Sequence, residues 1–143
     1  MPTFRHGKNT YFALGSAGTE STLVNLSTYL MQVQFPRPID VAETSTFGTT
    51  AKTYVVGLYG STISFTGRWE PTVDAQLAGL LGNSTAVSFE YGPGGNTAAQ
   101  TPALVKYTGS GFLTSYDVQG AVGDMVGFSV QMQISGAVTR ATY

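Results

Sequence analysis

From residue 126 onward, apolar and polar side chains alternate. Val126, Phe128, Val130, Met132 and Ile134 share one parity, and Met125, Gly127, Ser129, Gln131, Gln133 and Ser135 share the other. Period-2 alternation over five repeats predicts a half-buried strand across residues 124–136, roughly 40 Å long at about 3.3 Å per residue. Its polar face has no charge from Met125 to Gly136. The pattern leaves open which face meets the core, because a Ser/Gln face can also bear against a neighbour. Residues 22–35 predict another strand, with Tyr29, Met31, Val33 and Phe35 opposite Thr28, Leu30, Gln32 and Gln34, ending at Pro36. Residues 61–69 alternate again, with Ile63, Phe65, Gly67 and Trp69 on one side and Thr62, Ser64, Thr66 and Arg68 on the other. Shorter strands are predicted at residues 54–58, 86–91 and 104–108. Residues 109–118 follow, with Phe112, Thr114, Tyr116 and Val118 on one side and a turn at residues 120–123 that makes a hairpin with the last strand.

The period changes once. Val73, Leu77, Leu80 and Leu81 lie at i, i+4, i+7 and i+8, which predicts an α-helix over residues 72–81. Pro71 suits its first turn, Thr72 or Glu70 its N-cap, and Gly82 its C-terminal stop. With one apolar stripe, this helix is expected to lie on a sheet face or a sheet edge. Three stretches lack a period: residues 1–20, read as an N-terminal arm; residues 37–53, read as a long loop; and residues 137–143, read as a short C-terminal tail. A loop of that length in a small domain points to function or disorder. Phe47 sits in it beside Gly48, either tucked under the domain or docking on a neighbour.

Composition sharpens this picture of a single β-rich domain spanning residues 1–143. Charged residues make up only 10% of the chain, against about 25% in ordinary globular domains, so much of the surface is expected to be covered by partners. The net charge of −1, without a basic run, argues against an electrostatic nucleic-acid binder. The absence of cysteine excludes disulfides, thiolate metal sites and cysteine nucleophiles. The first residues contain no apolar segment of the secretory type, and no apolar run is long enough to span a membrane. Asn25-Leu26-Ser27 and Asn83-Ser84-Thr85 match the glycosylation sequon, read as chance matches without a secretion signal.

Enzymatic chemistry finds little support. His6 is the single histidine and lies in the arm, so a catalytic triad or a multi-histidine metal site is not available. Glu70 and Asp74 are four apart, a spacing compatible with paired carboxylates, but acids at a helix start are explained by the helix dipole. Glu90 precedes the Gly-Pro-Gly-Gly-Asn run at residues 92–96, which lacks the lysine of a phosphate-binding loop and reads as a hairpin tip. The run from Gly127 to Gln131 starts like a nucleophile elbow but lacks the second glycine. Trp69 with Tyr59, Tyr91, Tyr107 and Tyr116 has the composition of a sugar-binding platform, although core packing is the commoner use of aromatics on strands. No enzymatic activity, cofactor or metal is expected.

Three stretches in order carry a family resemblance. The first is ETSTFGTTAKTYVVGLYGSTISFTG at residues 43–67. The second is the helix with Phe89-Glu90-Tyr91-Gly92-Pro93, followed by Val105-Lys106-Tyr107-Thr108-Gly109. The third is the closing QISGAVTRATY. Together they resemble the major tail protein, or tail tube protein, of long-tailed, non-contractile bacteriophages. The resemblance implies a mainly β fold, a β-sandwich or partial barrel with a flanking helix. It implies a structural virion protein that self-assembles into stacked, hexameric rings. These rings form the hollow tail tube through which DNA passes without specific binding. It implies tape-measure, tail terminator and baseplate proteins as partners. The location implied is the virion tail, with assembly in the host cytoplasm and no membrane anchor. Carried onto this sequence, it makes residues 37–53 an inter-ring loop with Phe47 as anchor. It suggests contacts between subunits through Arg37, Asp40, Phe47, Lys52, Tyr54 and Arg140, and a lumen lined by Ser129, Gln131, Gln133, Ser64 and Thr66. Two rival readings stand beside it: a non-catalytic carbohydrate-binding or decoration domain of a virion, and a tube protein of a contractile injection machine.

Overall fold

The alternating stretches become neighbouring strands of one curled antiparallel sheet. The computed structural model describes residues 4–48, 50–98 and 103–143. A 3-10 turn at Gly7–Asn9 leads into β1 (Tyr11–Ser16), β2 (Thr19–Asn25), β3 (Leu30–Gln34), β4 (Ile39–Glu43), β5 (Tyr54–Tyr59) and β6 (Thr62–Arg68). Then come α1 (Pro71–Leu80), β7 (Val87–Gly92), β8 (Val105–Gln119), β9 (Gly127–Ile134) and β10 (Thr139–Thr142). The main sheet runs β2-β1-β7-β8-β9-β6-β3. On the edge of β8 opposite β7, β9 pairs along residues 111–119 and β10 along residues 105–108. Strands β4 and β5 form a separate two-stranded hairpin.

The core face is the one the alternation marks in β6 and β9. Ile63, Phe65, Phe128, Val130, Met132 and Ile134 are buried, and the register sets Ile63 opposite Met132 and Phe65 opposite Val130. Gly67 continues this inner row, and a side chain there would collide with the backbone of Tyr29 and Leu30 at the start of β3, so the close approach of the chain there depends on it. Phe12 of β1 meets Phe65 of β6 at 4.9 Å between ring centroids, and Phe35 beyond β3 meets Phe89 of β7 at 5.9 Å. The sheet therefore curls into a partial barrel.

Helix α1 packs on the concave side. Pro71 starts it, Glu70 occupies the N-cap position without a capping side-chain bond, and Gly82 follows its end at φ +83°. Val73, Leu77 and Leu80 are buried among the sheet's core residues, each contributing about 1.5–3 kcal/mol of apolar burial. Leu81, the fourth residue of the predicted stripe, lies past the last turn and is exposed. Flanking this apolar stripe, the Gln76 amide donates to the carbonyls of Leu14 and Gly15, each at 2.9 Å, tying α1 to β1.

Several expectations need correction. Residues 1–20 are not an arm throughout: β1 lies inside the sheet, paired with β2 and β7, and Phe12, Ala13 and Leu14 are fully buried. Burial on both faces erases the alternation that would have marked this strand. Residues 22–35 are two strands, not one. The Asn25 side chain accepts from the Ser27 amide at 2.9 Å, forming an Asx turn that breaks the run, with Leu26 buried beneath it. The triplet that matches a glycosylation sequon is this turn. Residues 37–53 are partly strand, since β4 occupies 39–43. Residues 104–108 and 109–118 are one strand, β8. The tail 137–143 contains β10, and the Tyr143 hydroxyl donates to Glu90 at 3.1 Å. The last long strand is shorter than its pattern: β9 spans 127–134, and Met125 and Val126 are exposed in the turn before it.

An arm can be removed, whereas a core strand cannot. Phe12→Ala is expected to lower unfolding stability by about 3–5 kcal/mol, read from a urea denaturation midpoint, while a change of less than ~1 kcal/mol would return β1 to the status of an arm.

Candidate assembly surfaces

The first surface is the hairpin β4–β5. Val41 faces Val56 and Glu43 faces Tyr54 across it, with Leu58 on the same side; Ala42 faces Val55 and Ile39 faces Tyr59 on the other. Both sides are solvated: all six residues of β5 are exposed, including Val55 at 53%, Val56 at 65% and Leu58 at 83%. Beyond the strands, Thr44 and Thr53 clamp the neck through a backbone bond of 2.7 Å and a hydroxyl contact of 2.8 Å. The Ser45 hydroxyl accepts from the Thr53 amide at 2.9 Å. Phe47 stands wholly exposed at the tip, which removes the reading that tucks it under its own domain. An isolated two-stranded ribbon with apolar side chains on both faces is marginal in water and calls for a covering partner.

The structure brings Asp40, Phe47, Lys52 and Tyr54 together on this hairpin, all exposed. Arg37 lies at its base, its guanidinium 5.3 Å from the Tyr107 ring centroid and 5.9 Å from that of Phe35. Arg140 is off the hairpin, on β10, directly opposite Tyr107. Val41, Val55, Val56 and Leu58 belong to this surface in addition to the residues expected from the sequence. The signal was present in the run YVVGLY, whose apolar residues fall on both parities without the sequence neighbours of a core strand.

The second surface is the convex face of the sheet. Thr62, Ser64 and Thr66 of β6 stand opposite Gln133, Gln131 and Ser129 of β9. On the far side of β6, Gln34 and Gln32 of β3 oppose Ser64 and Thr66. On the far side of β9, Phe112, Ser115 and Asp117 of β8 oppose Gln133, Gln131 and Ser129. The five residues Ser64, Thr66, Ser129, Gln131 and Gln133 therefore form one contiguous patch. Gln133 is tethered at its edge, donating to the Ser61 carbonyl at 3.0 Å. Two bulges shift parity here: one between Leu30 and Gln32 ejects Met31, and one at Thr114 puts Phe112 on the polar face while Tyr116 points inward. The predicted grouping of Phe112 with Tyr116 and Val118 is thus incorrect. Across these rows the charges are Arg68 and Asp117, and there is no lysine.

The carboxylates considered for chemistry have structural partners. Asp74 accepts from the Tyr116 hydroxyl at 2.6 Å and the Trp69 indole at 3.2 Å, which pins the start of α1 to β8. Glu70 accepts from the Thr72 hydroxyl at 3.3 Å through one oxygen, and its other oxygen is buried without a partner. Glu90 accepts from Tyr143 and lies 3.8 Å from the Lys106 ammonium. Among the described residues, no group of three or more His, Asp and Glu side chains is placed to hold a metal, and no helix is long and apolar enough to cross a membrane. The aromatic residues divide between sites. Trp69 and Tyr116 meet at Asp74, Tyr91 and Tyr107 pack on Phe35, and Tyr59 stands on the hairpin.

No family model and no curated protein matches the sequence. Solved structures do match. A chain of the tail of an empty gene transfer agent (GTA) particle with C6 symmetry aligns at a TM-score of 0.76 and 13% identity, covering 96% of this chain and 99% of that one. A chain of the SPP1 tail tube aligns at 0.77 and 11% identity, covering 98% of this chain and 80% of that one. A chain of the sheath/tube terminator of an extracellular contractile injection system (PVC) aligns at 0.64 and 13% identity, covering 99% and 96%. The chain has the fold of tail-tube proteins.

The Asp74 network generates a pH dependence. Burial, and then the Asp74 hydrogen bond and charge, push the Tyr116 hydroxyl from 10.0 up to about 12. The unfolded chain releases this proton first, so the contribution is complete below pH 10 and lost as pH rises through about 12. Thermal melts across that window should show a falling midpoint that Tyr116→Phe makes shallower; an identical slope would detach Tyr116 from this stability.

Proposed function

We propose that this chain is the structural subunit of a hollow tail tube, assembling with copies of itself into stacked rings. The observation that carries the reading is the hairpin β4–β5, apolar on both faces and uncovered, on a domain with the tail-tube fold. A second copy is the natural cover, since repetition of one contact along an axis builds an open tube. In this reading Phe47 anchors the hairpin in the next ring, with Asp40, Lys52 and Tyr54 around it and Arg37 and Arg140 at the flanks. The C6 symmetry of the aligned gene transfer agent tail supports six subunits per ring.

The convex polar face then lines the lumen. Ser64, Thr66, Ser129, Gln131 and Gln133 offer DNA neutral hydrogen-bonding groups, and Arg68 and Asp117 offset one another. A wall without lysine does not displace phosphate counterions, so DNA slides instead of being held. Tape-measure, terminator and baseplate proteins are the partners this role requires. A tube inside a contractile machine is the second reading, supported by the alignment to a chain of the contractile injection system.

Val56→Asp tests the assembly. The position is exposed, so stability should shift by no more than about 0.5 kcal/mol. Tube formation, followed by light scattering and electron microscopy, should be lost. Normal tubes from this variant would contradict the role of the hairpin. Gln131→Lys tests the lumen: its tubes should retain duplex DNA with a steep salt dependence that wild-type tubes lack, and equal retention would place Gln131 elsewhere.

A further inference from the structure

The turn between β8 and β9 and the opposite end of β9 carry complementary features. At the turn, Val122 is fully exposed, Met125 is 67% exposed, and the exposed Asp124 carboxylate has no ion pair among the described residues. These residues immediately precede β9. At its far end, Ile134, the last residue of β9, and Ala137 and Val138 beyond it combine with Leu58, Tyr59 and Arg37 to line a cleft of about 390 Å³. The socket is of mixed character: Leu58, Ile134, Ala137 and Val138 supply its apolar wall, and Arg37, Ser61 and Tyr59 supply polar groups. The Arg37 guanidinium lies over the Phe35 and Tyr107 rings, and its N–H donors make no hydrogen bond or ion pair among the described residues, so they are available to a carboxylate. A β8–β9 tip cannot reach the socket of its own chain, because the length of β9 separates them by roughly 25 Å at about 3.3 Å per residue.

We propose that the β8–β9 tip of one copy seats in this socket of the next, with Val122 and Met125 in the cleft and Asp124 paired with Arg37. The contact is head-to-tail. Surfaces at opposite ends of one strand meet by displacement along that strand, so the contact repeats without closing on itself. It deepens the tube reading, on which it rests, by naming a second joint between successive rings. The socket is continuous with the base of the hairpin through Leu58 and Tyr59, so one copy's hairpin and its socket would receive the same neighbour.

The absence of cysteine makes the test clean. Val122→Cys and Ala137→Cys both fall at exposed positions. When equal amounts are assembled together and oxidised, they should give covalent dimers, and neither variant alone should. The double variant should give a ladder of linked copies. Tubes of normal appearance with no mixed dimer would overturn the tip–socket contact and leave the tube reading standing. Dimers from Val122→Cys alone would overturn it in favour of a two-fold contact. Wild-type protein that never assembles would overturn the tube reading and this contact with it. Charge exchange gives a second readout that needs no cysteine: Asp124→Arg or Arg37→Asp should each raise the concentration needed for assembly about 5- to 10-fold, and the pair together should restore it. Additive losses in the pair would separate the two residues.

Discussion

Phe12 and Phe65 meet at 4.9 Å although β7, β8 and β9 lie between their strands in the sheet. That contact is possible only because the sheet curls, and the curl decides what each side of it can do. The concave side closes over Phe12, Phe65, Phe89 and Met132 and is completed by Val73, Leu77 and Leu80 of the helix. With the helix plugging the interior, the convex side has no apolar layer against it. Its rows are therefore mainly Ser, Thr and Gln where β3, β6 and β9 turn outward, with Arg68 at the end of the β6 row and Met31 ejected by the β3 bulge. The neutral face proposed to line a lumen is thus the outer side of the same strands that hold the core.

Closure also determines what is left over. The curled sheet uses every long alternating stretch, and the aperiodic run at residues 54–59 pairs only with β4 and stays outside. A ribbon with Val41, Val55, Val56 and Leu58 in water is unfavourable for a lone domain, and so is a charged fraction of 10%. Both features become ordinary once copies cover one another. Low charge, an unpartnered hairpin and an apolar turn at Val122 are three features that the proposed contact between copies would account for together.

Much of the fold was legible in the sequence where burial is one-sided. β6, β9 and α1 each carry a period that maps onto their buried residues, because one face meets the core and the other meets water. Legibility failed where that condition fails. β1 is buried on both sides, so YFALGS shows no alternation. The two bulges, at Met31 and Thr114, change parity inside a strand, and nothing in the side-chain pattern announces a backbone irregularity. The Asx turn at Asn25 was visible as an Asn-x-Ser triplet but sat inside an apolar run that read as continuous strand. For the candidate surfaces, the polar patch was legible as the second parity of two strands. The hairpin was legible only as an aperiodic stretch, because exposure of Val56 and Leu58 depends on what the rest of the sheet leaves uncovered.

The most direct test of this account is a helical reconstruction by electron microscopy of the assembled wild-type protein. The account requires a hollow tube whose inner wall carries Ser129 and Gln131, with each β4–β5 hairpin lying against a subunit of the adjacent ring. A solid filament, a tube with that polar face turned outward, or a species that stays monomeric at every concentration would contradict it.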